Sequence, residues 1–89
     1  MKYFPWPIQN ALDNRARLGP EAVTRYWEKD MDAKGRRYVD SWILQNRPDV
    51  LDVNGPHKLA YSGPLHRFER FIEILHQERQ EQTEQKPEV

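Results

Sequence analysis

Proline and glycine cut this chain into segments of helical length, and that punctuation limits the fold more than any other feature. Pro7 suits the first position of a helix, and Leu18-Gly19-Pro20 ends that helix and opens the next. Asp32 can cap a third helix, which must stop before Pro48, and Ser62-Gly63-Pro64 offers a cap and a start for a last one. Between these marks apolar side chains recur at helical spacing. Ile8, Ala11, Leu12, Arg15 and Ala16 lie on one face, Val23, Tyr26, Trp27 and Met31 on a second, and Tyr38, Val39, Trp42, Ile43 and Asn46 on a third. Leu65, Phe68, Phe71, Ile72 and Leu75 form the stripe of the last helix. The pattern predicts a mainly α fold, a single small domain of three or four short helices.

Two segments break the helical period. Met1 to Pro7 holds Phe4-Pro5-Trp6-Pro7, whose prolines bias the residues before them toward extended backbone, so the N-terminus reads as an extended proline and aromatic arm. Between the third and last helices, Asn54-Gly55 is a turn signal, but Pro56 disturbs a regular two-residue hairpin. An irregular loop or a short hairpin is expected there. Gly35 leaves the start of the third helix loosely defined. After Leu75 the apolar stripe gives way to Gln, Glu, Arg and Lys, which sets residues 77–89 apart as a polar extension from a domain spanning 1–76, projecting into solvent or fraying near Lys86-Pro87.

A domain of 89 residues has room for one core and little margin of stability. The chain has no cysteine, so disulfides and thiolate metal sites are excluded, and a reducing, cytoplasmic compartment is the simplest expectation. Its 14 basic and 14 acidic residues cancel. They are unevenly placed: nine Lys or Arg against six Asp or Glu up to Arg47, a balance of +3, and five against eight thereafter, a balance of -3. That asymmetry is too weak for a duplex-binding face or an acidic DNA mimic. No apolar run is long enough for a membrane span, and Met1 to Asn10 lacks the unbroken apolar core of a signal peptide, so neither membrane insertion nor export is expected.

Seven of the ten aromatic residues, Tyr3, Phe4, Trp6, Tyr26, Trp27, Tyr38 and Trp42, precede Pro48. A core this small is not expected to enclose all of them, and rings left at a surface bury much area against a partner at little rotamer cost. The arm Tyr3-Phe4-Pro5-Trp6-Pro7 is the first choice for such a contact, because proline lowers the entropy of the unbound segment. The competing reading is that the arm folds back to cap its own core; both hold if only one ring stays exposed. Lys34, Arg36, Arg37 and Arg47 form a local basic group near Tyr38 and Trp42, suited to an anionic protein or, less well, to a phosphate backbone.

Chemistry is harder to find. Glu69, Glu73 and His76 follow one flank of the last helix at the spacing of a carboxylate-histidine metal motif, but the pattern occurs once where bundle sites need it twice. Charged residues edging a buried stripe explain it better. His57, His66, Ser41, Ser62, Thr24 and Asp52 assemble no recognisable nucleophile and base, and the four glycines are too dispersed for a phosphate loop. The expectation is a non-enzymatic regulator or inhibitor without metal or other cofactor that occupies a surface of a larger protein through Tyr3, Phe4, Trp6, Arg36, Arg37 and Trp42. Phages and mobile elements use small staple-free chains in this way, an analogy of size only. An accessory subunit of a larger enzyme is the alternative, nucleic-acid binding ranks lower, and a homodimer stays open.

Overall fold

A computed structural model describes residues 4–85, with side chains through 80; Tyr3 of the proposed arm lies outside the described residues. Four α-helices follow in order: α1 Trp6–Leu18, α2 Pro20–Arg25, α3 Ala33–Asn46 and α4 Pro64–Gln85. A π-helical turn, Tyr26–Asp30, prolongs α2, and short 3-10 turns at Pro48–Val50 and Leu59–Tyr61 punctuate the connection from α3 to α4. No strand occurs among the described residues, so of the two expectations for that connection the irregular loop holds and the short hairpin does not. The carboxylate and the carbonyl of Asp52 take the amides of Asn54 and Gly55 at 2.9 and 3.0 Å. The turn that Asn54-Gly55 announces is therefore made by local bonds and not by a ladder.

The helices form where the sequence marks them. Gly19 separates α1 from α2 at φ 99°, a backbone that side-chain-bearing residues rarely adopt. Asp32 caps α3, its Oδ1 accepting the Gly35 amide at 2.8 Å. A Cβ on Gly35 would stand 3.3 Å from that same oxygen, so the glycine that blurs the helix start in sequence keeps room for the cap. At α4 the residue before the helix is Gly63, whose carbonyl accepts from Arg67 N at 2.8 Å, while Ser62 gives its carbonyl to the Arg67 guanidinium.

The core is assembled from the predicted stripes. Ile8 and Leu12 of α1, Val23, Trp27 and Met31, Val39 and Ile43 of α3, and Phe68, Phe71, Ile72 and Leu75 of α4 are all buried. Val50 and Leu59 fill it from the connecting loop. Trp27 packs on Phe68 with ring centroids 4.8 Å apart. Three predicted stripe positions face outward instead: Ala16 is exposed at the end of α1, and Tyr38, 51% exposed, and Asn46 are exposed on α3. On α3 the buried arc is centred on Val39 and Ile43, and Tyr38 sits about 100° from Val39, beyond its edge.

Ion pairs border this core and join the helices. Arg15 of α1 holds Glu73 of α4 through two guanidinium nitrogens, and the Thr24 hydroxyl donates to Glu69. Arg67 donates to the carbonyls of Leu59 and Ser62 and approaches Asp40 of α3 to 3.3 Å. One residue so ties the loop and α3 to α4. The last helix runs unbroken through Gln85, and Glu78 accepts from Arg47 at 3.1 and 3.0 Å, so the first turn beyond residue 76 is fastened to the domain.

Candidate functional site

The N-terminal segment is partly helix and partly cap. Pro5 precedes α1, its carbonyl accepting the Gln9 amide at 2.9 Å, and Pro7 occupies the second helical position. The helix therefore starts at Trp6, one residue before the Pro7 start that the sequence predicts, and the extended part of the described arm shrinks to Phe4 and Pro5. Both prolines fall where a helix needs no donor from them.

This start fixes the direction of Trp6. It lies two residues, about 200° of helix, from buried Ile8 and so points away from the core. Trp6 is 74% exposed. Phe4 turns the other way and meets Trp42 edge to face at 5.8 Å, and Trp42 in turn packs on Phe71 at 6.1 Å. Half-buried Phe4 and Trp42 are the outer layer of the core, the fold-back reading of the arm, and one ring remains free at the surface.

The basic group separates into two pairs with different surroundings. Arg36 reaches inward over the Trp27 ring, 5.6 Å from its centroid, and donates to the Trp27 carbonyl at 3.1 and 2.8 Å and to the Glu28 carbonyl at 3.3 Å. Those carbonyls lie where the helical segment ends at the π turn, and Arg36 supplies donors they otherwise lack. Arg47 forks between Asp49 and Glu78, four contacts of 3.0 to 3.1 Å. Hydrogen bonds to Asp49 and then Glu78 raise its pKa above the ordinary arginine value, and the Arg47 hydrogen bond holds the Asp49 carboxyl below its own. Lys34 and Arg37 remain exposed on α3.

On the flank of α4 two carboxylates, Glu69 and Glu73, are paired within the fold. Glu73 answers Arg15, whose pKa is raised chiefly by that hydrogen bond, and Glu69 answers Thr24 and, at 3.2 Å, His66. No group of three or more His, Cys, Asp or Glu side chains that could hold a metal occurs among the described residues. Between α2 and α4 lies an open groove of about 270 Å³, lined by Pro20, Val23 and Thr24 against Glu69, Arg70 and Glu73. It is smaller than the usual small-molecule site of about 300 to 1,000 Å³, and two of its carboxylates are already paired.

Of the residues singled out in sequence, the structure brings Phe4 and Trp42 together, leaves Trp6 and Arg37 exposed, and turns Arg36 inward. Sequence reasoning passed over Leu44, 60% exposed on α3, and Tyr61, 76% exposed on the loop before α4. Helical phase would have found Leu44, which lies five residues from Val39 and so on the far side of α3. For Tyr61 no periodicity exists to read. Among the described residues no helix is long and apolar enough to cross a membrane. Comparison with protein-family models, curated proteins and solved structures yields no match.

Proposed function

We propose that this protein is a non-enzymatic binding module that regulates or inhibits a larger protein by occupying part of its surface, with Trp6 as the anchor. One observation carries the reading. A tryptophan 74% exposed on the first turn of α1 is carried on helical backbone while its apolar area stays in water. Such a side chain loses little conformational entropy on docking and gains a large buried area, which is the profile of an interface hot spot. Phe4 and Trp42 support it from behind, since Phe4 packs on Trp42 and Trp42 on Phe71, which ties the segment from which Trp6 projects to the core. The lack of cysteine fits a partner in a reducing compartment.

The experiment compares the intact chain with Trp6→Ala as bait, then measures the affinity of the protein that the intact chain retains. Loss of about 2 kcal/mol or more, some thirtyfold in Kd, is expected of a hot spot. An affinity unchanged within about 0.5 kcal/mol would remove Trp6 from the interface.

A further inference from the structure

The outer face of α3 differs from the other helix surfaces. Lys34, Arg37, Tyr38, Ser41, Leu44 and Gln45 are all exposed and fall within about 120° of the helix circumference, opposite buried Val39 and Ile43. Two large apolar side chains, Tyr38 and Leu44, stand among two cations with no carboxylate between them. The one acidic residue within α3, Asp40, is half-buried toward α4 beside Arg67. On α1 and α2 the exposed side chains mix signs, as with Asp13 and Arg17 or Glu21 and Arg25, and on α4 through Gln80 the exposed positions include Arg70 and Arg79 but no large apolar residue. Arg36 and Arg47, the other cations of this stretch, are spent inside the fold.

We infer that the outer face of α3 docks an acidic protein segment, with Tyr38 and Leu44 each covering an apolar side chain of that segment and Arg37 and Lys34 meeting its carboxylates. The inference rests on the binding role proposed above and names the chemistry of its partner. Tyr38 lies one turn before Trp42, on which Phe4 packs, so this face adjoins the N-terminal segment that presents Trp6. Charge complementarity selects the occupant: a cationic segment would place like charges against Arg37, and two free cations release too few counterions to hold a nucleic-acid backbone. Asp30 and Asp32 lie near Lys34 at the start of α3, so the carboxylates of the segment should sit closer to Arg37.

The test selects a displayed library of random peptides on the full chain and measures the enriched peptides against the intact protein, Arg37→Glu, Lys34→Glu and Trp6→Ala. Circular dichroism confirms that each exposed-site variant is folded, and Arg37→Gln separates loss of charge from its reversal. Enriched peptides should combine Asp or Glu with a large apolar residue. Arg37→Glu should weaken them about tenfold, Lys34→Glu less, and added salt should weaken them too. Amide shifts should map to Arg37, Tyr38 and Leu44. Peptides without acidic bias that respond to Trp6→Ala but not to Arg37→Glu would overturn this inference and leave the binding role standing. No enrichment, or tighter binding of a single-stranded oligonucleotide than of any peptide, would also overturn it.

Discussion

Arg36 and Arg37 are neighbours in the sequence and live in different environments. Arg36 lies over Trp27 and caps two backbone carbonyls, whereas Arg37 stands in water on the outer face of α3. The tryptophans repeat the contrast, Trp27 being 5% exposed and Trp6 74%. In each pair the chemistry of the side chain is the same and only its angle around a helix differs. The inner member stabilises the fold, and the outer member is available to something else. Exposed side chains such as Trp6 and Arg37 can therefore vary with little cost to the stability of this small domain.

Substitutions can break this contrast, and the largest effect belongs to the aromatic core. Phe68→Ala removes a fully buried ring beside Trp27 and should cost about 3 to 5 kcal/mol in urea unfolding, whereas Trp6→Ala should stay within about 0.5 kcal/mol. Comparable costs for the two would mean that Trp6 belongs to the core.

The arginine pair should differ by less. Arg36→Ala leaves the carbonyls of Trp27 and Glu28 without their charged donor and should cost about 1.5 to 3 kcal/mol, against no more than about 0.5 for Arg37→Ala, both read from thermal or urea unfolding. Equal effects would show that the inward bonds of Arg36 contribute nothing net.

A smaller difference should separate Asp32 from Asp30. The first caps α3 through the Gly35 amide, and Asp32→Ala should cost about 1 kcal/mol; the second is exposed, and Asp30→Ala should be nearly neutral.

The smallest effect is one of pH. The folded-state pKa of Asp49 is below its ordinary 3.8, so below that value the unfolded chain binds the proton more readily. The contribution of Asp49 is present above pH 3.8 and is lost as the pH falls through its folded value. Its side chain is 61% exposed, so solvent screens the pair and the loss is small. Asp49→Asn should flatten the acid limb of the stability curve slightly; an unchanged limb would mean that the Arg47 fork adds no net stability there.

Much of the fold is legible in the sequence because local rules govern it. Gly19, Asp32 and the prolines act within one turn of where they stand, and the apolar period of α4 needs no knowledge of what it packs against. The loop between α3 and α4 was harder, since burial of Val50 and Leu59 and the grip of Arg67 on the Leu59 carbonyl depend on residues distant in sequence. The candidate site was read in part. Tyr3, Phe4 and Trp6 stand together as an aromatic arm in the sequence and Trp42 beside the basic group, yet which of the rings Phe4 and Trp6 faces water turns on α1 beginning at Trp6. Arg36 and Arg37 look equivalent in the sequence because nothing local shows that the Trp27 and Glu28 carbonyls of the π turn approach Arg36.

The sequence by itself determined the helical class, the breaks between helices, the cap of α3 and most of the core residues that the helices contribute. These follow from backbone sterics, capping and period, all of which act over a few residues. Only the tertiary structure decided that Phe4 closes the core while Trp6 leaves it, that Arg36 and Arg47 are spent on internal partners, and that Tyr38 and Leu44 share an exposed face with Lys34 and Arg37. A side chain's use depends on the neighbours that three-dimensional packing brings to it, and those come from parts of the chain far away in sequence.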